Sequence, residues 1–283
     1  MAKLSTVPHG TTKKIIVYGA PKAGKTQLVS QLAEHYNLLW FDLENGYETL
    51  LKLPQAAQER VELLRLPDSR VYPIAVETML KVFLGNEVTV CEEHGKVNCP
   101  LCKKDNKPVV TVHLNALSSD TIVVVDSLTQ FTNSAIANIT KHQPDDYKMQ
   151  FDDWGALRTI VEKFLSMVQT AKYNIVCISH EEEVEFEDGR KKIVPVCGSS
   201  KSSRNTAKYF DEVVYCEVKN KKHLAASSTA FSNNILTGSR TDTVLDGREG
   251  ASLLEMFRKP APIKEADQGT KAITALKTSL LKK

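Results

Sequence analysis

The stretch GAPKAGKT (residues 19–26) decides how this 283-residue sequence is interpreted. It fits the pattern G-x-x-x-x-G-K-[ST], in which glycines let backbone N–H groups converge on phosphate oxygens. The apolar run KKIIVYGAP (13–21) precedes it and predicts a buried strand, whereas KTQLVSQLAEHY (25–36) has helical spacing. A strand, a glycine-rich loop and a helix in this order predict a phosphate loop that binds a nucleotide. Its expected contact residues are Gly19, Ala20, Pro21, Lys22, Ala23, Gly24, Lys25, Thr26 and Gln27.

Two residues of this loop and one distant aspartate carry the chemistry expected at the phosphates. Lys25 is expected to reach the β- and γ-phosphates of ATP, and the Thr26 hydroxyl to ligate Mg²⁺. Asp126 ends the apolar run TIVVVD, where the second magnesium ligand of a P-loop enzyme belongs. An aspartate after a buried strand can also cap the following helix, which is the alternative role for Asp126.

Glu44 is the candidate general base for hydrolysis. It lies in NLLWFDLEN (37–45), a second apolar run that predicts a buried strand ending in acidic residues. Asp42 and Glu44 occupy alternate positions, so both are expected to face the same side of that strand. Glu44, which is nearer the strand end, is expected to accept a proton from the water that attacks the γ-phosphate. The alternative is a solvated loop carboxylate.

The rest of the chain alternates predicted strands and helices. Further strands are expected at 61–68, 121–131, 174–183, 211–219 and 231–238, with helices at 72–85 and 154–173. This alternation predicts an α/β fold with a mostly parallel central sheet covered on both faces. Ligands of such sheets gather at the carboxyl ends of the strands. We expect one ATPase domain over 13–258, preceded by an extension (1–12) and followed by a charged tail (259–283).

The phosphate loop and the two predicted strands that carry Glu44 and Asp126 together resemble the RecA-like recombinase ATPases, and the resemblance covers roughly residues 13–255. After the phosphate loop, that family has a strand ending in D-x-E, as FDLE (41–44) does here, and then a strand of the form VVVDS, as in TIVVVDS (121–127). NIVCISH (174–180) resembles the strand that ends in a γ-phosphate sensor, and SSRNTAKYF (202–210) resembles a helix that follows a mobile DNA-binding loop. More narrowly, the sequence resembles the single-domain phage ATPases that assist single-strand annealing.

The resemblance implies roles for several residues. Glu44 would be the catalytic base, because Ser127 stands where AAA+ proteins and many helicases place theirs. His180 would stand where RecA has a glutamine that senses the γ-phosphate. Arg240, in ILTGSR (235–240), would reach the nucleotide of a neighbouring subunit, or it is simply a surface arginine.

The segment CEEHGKVNCPLC (91–102) predicts a zinc site. Cys91-x₂-His94 and Cys99-x₂-Cys102 supply four ligands of the type and spacing that structural zinc prefers. The flanks EVTV (87–90) and PVVTVHL (108–114) alternate like two strands of a hairpin. We therefore expect a zinc-binding β-hairpin insertion over 87–115, outside the central sheet, where the metal supplies folding free energy that burial cannot. Reduced cysteines in a loop are the alternative.

Basic residues after His180 form the predicted DNA contact. By the family resemblance they would hold the phosphate backbone of a single strand, although charge runs are also typical of solvated faces. A second loop (137–154) occupies the family's other DNA-facing position and offers Lys141, His142, Tyr147 and Lys148, but its four aspartates weaken the case. The predicted DNA-binding residues are Arg190, Lys191, Lys192, Lys201, Arg204 and Lys208.

Composition limits the classes of function. The net charge is only +3, and no apolar stretch approaches the roughly 18 residues of a membrane span, so we expect a cytoplasmic protein. The resemblance to phage ATPases implies that the cytoplasm is that of an infected bacterial host. The expected function is an ATP-dependent annealing or recombination ATPase that uses ATP, Mg²⁺ and Zn²⁺. Its expected partners are single-stranded DNA, further copies of itself in a ring or filament, and a single-strand DNA-binding protein. The alternatives are a nucleotide-switched loader or partition-type ATPase, and a small-molecule P-loop kinase.

Overall fold

A nine-stranded sheet forms the centre of the protein. The computed structural model describes residues 12–66, 68–69, 71–240 and 244–257. The strands are β1 (Lys14–Gly19), β2 (Asn37–Asp42), β3 (Val61–Arg65), β4 (Val88–Cys91), β5 (Val109–Val112), β6 (Thr121–Asp126), β7 (Asn174–Ser179), β8 (Glu181–Glu185), β9 (Lys191–Pro195), β10 (Glu212–Lys219), β11 (Lys222–Ala226), β12 (Gly238–Ser239) and β13 (Asp246–Glu249). The order across the central sheet is β13-β11-β10-β1-β7-β6-β2-β3, and β12 pairs with β10.

Six neighbouring strands of this sheet, from β10 to β3, run parallel, and the antiparallel strands β11, β12 and β13 complete one side. All six residues of β1 are buried, as are the last five of β6. Strands covered on both faces read as continuous apolar runs, which is why the sequence identifies them. The predicted α/β fold with a mostly parallel central sheet is confirmed.

Helices cover both faces of the sheet. They are α1 (Lys25–Ser30), α2 (Gln55–Gln58), α3 (Ile74–Val82), α4 (Pro100–Lys104), α5 (Leu128–Thr140), α6 (Phe151–Thr170) and α7 (Ser200–Asn205). Helices α3, α5 and α6 pack on one face, where the rings of Phe131 and Phe164 stack 4.3 Å apart. Helix α1 packs on the other face and continues to Glu34 as a 3₁₀ turn.

Two predicted strands differ from the structure. The run at 121–131 ends as a strand at Asp126, because Ser127 caps a 13-residue helix, α5, that the sequence analysis did not predict. The segment 231–238 is mostly turns, and only Gly238 enters β12. The Ser232 hydroxyl accepts the backbone N–H of Asn234, and local bonds of this kind favour turns over a ladder.

The cysteine-rich segment forms a separate two-stranded sheet, β4–β5, which confirms the predicted hairpin outside the central sheet. The segment after His180 forms a second hairpin, β8–β9, where a mobile loop was expected. Of the predicted terminal regions, 1–11 and 259–283 lie outside the described residues. Within the described part of the chain, no helix combines the length and the apolar character needed to span a membrane.

Candidate functional site

The phosphate loop lies between the carboxyl end of β1 and the start of α1. Glycine is required at two positions of this loop, because other parts of the chain approach the backbone closely there. A Cβ at Gly19 would lie 2.1 Å from the Cys216 carbonyl oxygen, and a Cβ at Gly24 would lie 2.7 Å from the His223 ring. Gly24 also has a φ of 91°, which glycine adopts without strain. The loop is therefore held against β10 and β11 on its outer side.

Lys25 is buried within this loop. Its ammonium group donates to the carbonyl oxygens of Gly19 at 3.0 Å and Ala20 at 2.8 Å. Burial lowers the pKa of Lys25, and nearby acidic groups, among them Glu44 and Asp126, oppose that shift. A lysine whose charge is held beside backbone carbonyls can exchange these weak acceptors for phosphate oxygens.

Thr26 and Asp126 meet at one point, because α1 begins beside the end of β6. The Thr26 hydroxyl donates to Asp126 Oδ2 at 3.2 Å. Burial, followed by the charges of Glu44 and Asp42, raises the pKa of Asp126 to about 7. A hydroxyl and a carboxylate are hard oxygen ligands of the kind Mg²⁺ prefers, and a cation would relieve the repulsion among the three carboxylates. The donor set fits the predicted magnesium ion.

Asp42 has a different position from the one expected. Strand β2 ends at Asp42, and the buried carboxylate accepts the N–H groups of Glu44 at 3.1 Å, Gly46 at 3.0 Å and Tyr47 at 3.2 Å. Burial raises the pKa of Asp42, and these N–H groups oppose the shift. Asp42 and Glu44 do not share a strand face, so that expectation was wrong. Asp42 instead fixes the turn that presents Glu44.

Glu44 lies between Ser127 and His180. The Ser127 hydroxyl donates to Glu44 Oε1, and His180 Nε2 lies 3.5 Å from the same oxygen. Burial disfavours ionisation of Glu44. The hydrogen bonds from His180 and Ser127, together with the charge of Lys25, outweigh burial and lower the pKa of Glu44. Glu44 is therefore an ionised carboxylate at neutral pH, with its orientation fixed by a serine.

His180 connects the candidate base to the phosphate-loop lysine. Its Nδ1 lies 3.5 Å from the Lys25 ammonium, which can only donate, so Nδ1 is the acceptor and the ring proton is on Nε2, facing Glu44. The His180 backbone N–H donates to Thr129 Oγ1 at 2.9 Å. The position expected for a γ-phosphate sensor is thus in contact with both predicted catalytic side chains.

Arg240 lies away from this group. It follows β12, which pairs with Glu212 and Val213 at the start of β10, whereas the phosphate loop follows the end of β1. Its guanidinium contacts Asp211 Oδ1 at 3.3 Å and the Lys208 carbonyl at 3.2 Å. Arg240 therefore has no contact with the nucleotide site of its own subunit, and its proposed action on a neighbour stays a prediction.

The predicted zinc ligands converge. One ligand atom from each of Cys91, His94, Cys99 and Cys102 lies within 4.8 Å of all the others. His94 Nδ1 is 3.2 Å from Cys102 Sγ, 3.7 Å from Cys99 Sγ and 3.9 Å from Cys91 Sγ. Tetrahedral zinc with ordinary bond lengths separates its ligand atoms by about 3.5–3.8 Å. The four side chains fit a closed zinc site.

Two further features favour a metal at this position. The Lys96 N–H donates to Cys91 Sγ at 3.4 Å, the type of second contact that orients metal-bound thiolates. Backbone N–H groups, first that of Cys102, lower the pKa of Cys99 to about 7. The base of the hairpin joins the main core through Val90 and Val112, and Thr78 donates to the Gly95 carbonyl at 2.7 Å. The insertion is therefore anchored on α3.

The predicted DNA-binding residues lie on the β8–β9 hairpin and on the helical segment after it. Most of them contact acidic or aromatic neighbours. Lys191 pairs with Glu183 at 3.1 Å, and Arg190 Nε donates to Asp188 at 2.7 Å. The cationic groups of Lys192 and Arg204 both lie 5.9 Å from the ring of Phe186. Lys201 and Lys208 line a small cavity on α6.

Two residues of the site, Ser127 and His223, had no role predicted from the sequence. Ser127 was noted only as a residue that is not glutamate, although a hydroxyl beside Asp126 can orient a base that comes from elsewhere. His223 follows the turn KNKK (219–222), and Asn220 and Lys221 both have positive φ, as in a two-residue hairpin turn. From that turn, the strand β11 and the position of His223 in it could have been predicted.

The sequence matches a family model described as "AAA domain" over residues 11–245. No curated protein matches the sequence significantly. Among solved structures, the RadB recombinase aligns with 15% identity over 78% of this chain and 84% of its own, with a TM-score of 0.39. The KaiC-like protein PH0186 from Pyrococcus horikoshii OT3 aligns with 11% identity over 77% of each chain, with a TM-score of 0.37. An ATPase of the type III secretion system of pathogenic bacteria aligns with 11% identity over 96% of this chain and 65% of its own, with a TM-score of 0.45.

Proposed function

The chain belongs to the AAA domain family. We propose that it is an ATPase that acts on single-stranded DNA as an oligomer, in annealing or strand exchange. One observation carries the ATPase proposal. The ammonium of Lys25, the Thr26–Asp126 pair and the carboxylate of Glu44 gather at one end of the parallel sheet, beside a loop whose glycines fit a phosphate cradle. These are the charge types that phosphoryl transfer to water requires.

Each of these residues has a separate role in the proposed hydrolysis of ATP. Lys25 binds the β- and γ-phosphate oxygens and helps to balance their negative charge. Magnesium held by Thr26 and Asp126 would neutralise phosphate charge and orient the terminal phosphate. Glu44, oriented by Ser127, accepts a proton from the attacking water while the oxygen of that water bonds to the γ-phosphorus. The bond from that phosphorus to the bridging oxygen breaks, and ADP leaves with the electron pair.

His180 gives the site a means to respond to the terminal phosphate. It contacts both Lys25 and Glu44, so a change in the position of the lysine alters the environment of the base. The same residue begins the segment that leads into β8–β9. A cation from a neighbouring subunit, Arg240 in our proposal, would add charge at the transition state and make hydrolysis dependent on assembly.

The proposed DNA contact rests on charge and aromatic rings together. The cationic groups of Lys192 and Arg204 each lie 5.9 Å from the ring of Phe186. Single-stranded nucleic acid binds where bases can stack and phosphates meet cations. Several of the predicted cations are paired with acids of the same hairpin, which limits the net positive field. We therefore propose a modest affinity that depends strongly on oligomerisation and on salt.

The zinc hairpin has a structural role in this proposal. A closed site of three cysteines and one histidine leaves no open position for catalysis. A zinc ion bound by these four residues would hold β4–β5 and the short helix α4 together beside α3, on a sheet distinct from the one that carries the phosphate loop.

The test is ATP hydrolysis measured with single-stranded DNA, with double-stranded DNA and without DNA. We expect stimulation of about tenfold or more by single strands, decreasing with salt, because the backbone contact is electrostatic. Replacing Lys192 and Arg204 by glutamine should remove the stimulation but keep the basal rate, whereas Lys52→Gln, an exposed lysine elsewhere, should change neither. Hydrolysis that is indifferent to DNA would contradict the DNA proposal and favour a nucleotide-switched loader. Phosphate transfer to a small molecule would favour a kinase.

A further inference from the structure

His223 lies against the outer side of the phosphate loop, beside Ala23 and Gly24. Strand β10 continues three residues beyond Cys216, the last of its residues that pairs with β1, before the chain turns at Asn220 and Lys221 and returns as β11. The hairpin therefore extends past the end of β1 and over the loop. His223 Nδ1 lies 3.1 Å from the carbonyl oxygen of Ala23, and its ring contacts Gly24.

The direction of this hydrogen bond is fixed by chemistry. A carbonyl oxygen can only accept, so Nδ1 carries the proton and donates it to Ala23. The Ala23 carbonyl and the Gly24 N–H belong to one planar trans peptide and point in opposite directions. Holding the oxygen toward His223 therefore holds the Gly24 N–H away from it. In a phosphate loop this N–H is one of the donors that converge on phosphate oxygens.

Without such a contact the peptide before Gly24 is free to rotate. Glycine populates positive and negative φ almost equally, so the 91° seen at Gly24 is not fixed by its own sterics. A rotated peptide would present a carbonyl oxygen, not an N–H, to the phosphates. We propose that His223 is a positioning residue that holds the Ala23–Gly24 peptide in the phosphate-binding orientation; this inference rests on the proposed function of the loop.

The proposal predicts a loss of nucleotide affinity without a loss of chemical rate. A loop N–H that binds phosphate equally in the ground state and the transition state contributes uniform binding, which affects KM and not kcat. Losing one ordinary hydrogen bond corresponds to a factor of about 3 to 10 in affinity. We therefore expect His223→Phe, which keeps a ring against Gly24 but has no donor, to raise the KM and the Kd for ATP by that factor.

A rescue variant separates the hydrogen bond from packing. In His223→Asn the side-chain amide can place a donor at the position of Nδ1, so affinity should return to within about twofold of wild type. Val218→Thr is the matched control, because Val218 pairs with His223 across the same hairpin and its side chain is 50% exposed. It should bind ATP as wild type does.

The experiment is isothermal titration with ATP and ADP in magnesium, combined with steady-state hydrolysis, on wild type and the three variants. Equal affinity of His223→Phe and wild type would overturn the inference, as would an Asn variant as weak as the Phe variant. A fall in kcat with unchanged KM would also overturn it, because the ring would then act on the chemistry itself. If His223→Phe does not fold, His223→Ala takes its place in the comparison with Asn. A wild-type protein that binds no nucleotide would instead refute the proposed function.

Discussion

Asp126→Asn should make the protein more stable and inactive at the same time. Asp126 is 2% exposed, and burial together with the charges of Glu44 and Asp42 raises its pKa to about 7, from an ordinary value of 3.8. The folded state therefore binds more protons than the unfolded state between about pH 4 and pH 7. Stability falls as pH rises through that window, and the full cost of holding the carboxylate ionised is present above pH 7.

The size of the effect follows from the same pKa. A rise from 3.8 to about 7 corresponds to at most about 4 kcal/mol of unfolding free energy, at 1.36 kcal/mol for each tenfold change in the ionisation constant. Asparagine has nearly the same shape and its amide oxygen can still accept from Thr26, so the variant avoids this cost without leaving a cavity. We expect the gain to be about 1–4 kcal/mol at pH 8 and close to zero at pH 4.

The assay is urea unfolding without nucleotide and with EDTA, at pH 4 and pH 8, alongside ATP hydrolysis. Asp146→Asn, an exposed aspartate in the turn before α6, is the control and should change neither stability nor its pH dependence. Loss of the carboxylate should also remove magnesium-dependent hydrolysis. An Asp126→Asn protein that is no more stable than wild type at pH 8, or equally stabilised at both pH values, would refute the reasoning.

Three other substitutions test separate parts of the site. Lys25→Ala should abolish ATP binding in a titration, whereas Lys52→Ala, at an exposed lysine outside the phosphate loop, should retain it; equal binding by both variants would refute the role of Lys25. Glu44→Gln should keep ATP binding but slow single-turnover hydrolysis by about 10²-fold, as expected for loss of a general base, and turnover near wild type would move the base elsewhere. Cys99→Ser should remove about one zinc per chain in elemental analysis while ATP binding persists, because the ligand cluster lies on its own sheet; metal-free wild type would contradict the zinc site.

The sequence predicted those elements whose signals are local. Buried parallel strands are continuous apolar runs, the phosphate loop is fixed by its glycines, and the zinc ligands are paired at short spacings. Each of these patterns reports on residues close in the chain. For this reason β1, β2, β6, β7 and the β4–β5 hairpin were found.

The geometry around Glu44 could not be predicted in the same way. Whether Asp42 and Glu44 face one side depends on where β2 ends, and β2 ends where the Asp42 carboxylate captures three N–H groups of the following turn. Such a turn competes with strand continuation by a small free-energy difference. Likewise, His223 reaches the phosphate loop only because β10 extends beyond β1, and strand length of that kind is set by pairing between distant segments.

Helix α5 was missed because a large part of its buried surface is polar. Its sequence, LTQFTNSAIANIT, has Leu128, Phe131 and Ala135 at helical spacing, but the polar residues Thr132 and Ser134 are buried beside them. Ser134 accepts the backbone N–H of Val76 at 3.0 Å, at the start of α3. Buried backbone N–H groups need partners, and a short hydroxyl side chain supplies one without a large change in volume. The hydroxyls of α5 are therefore core residues, although their composition is typical of a surface.

Hydroxyl groups of α5 and of its capping serine also join the candidate active site to the candidate DNA-binding segment. Thr129 accepts the backbone N–H of His180 at 2.9 Å, and one helical turn further Thr132 accepts that of Gly198 at 2.9 Å, immediately before α7. Ser127, which caps this helix, also donates to Glu44. A single rigid helix thus touches the base, the sensor position and the end of the β8–β9 segment. A shift of α5 by a fraction of an ångström would alter all three contacts together, which gives a physical reason for hydrolysis and DNA binding to depend on each other.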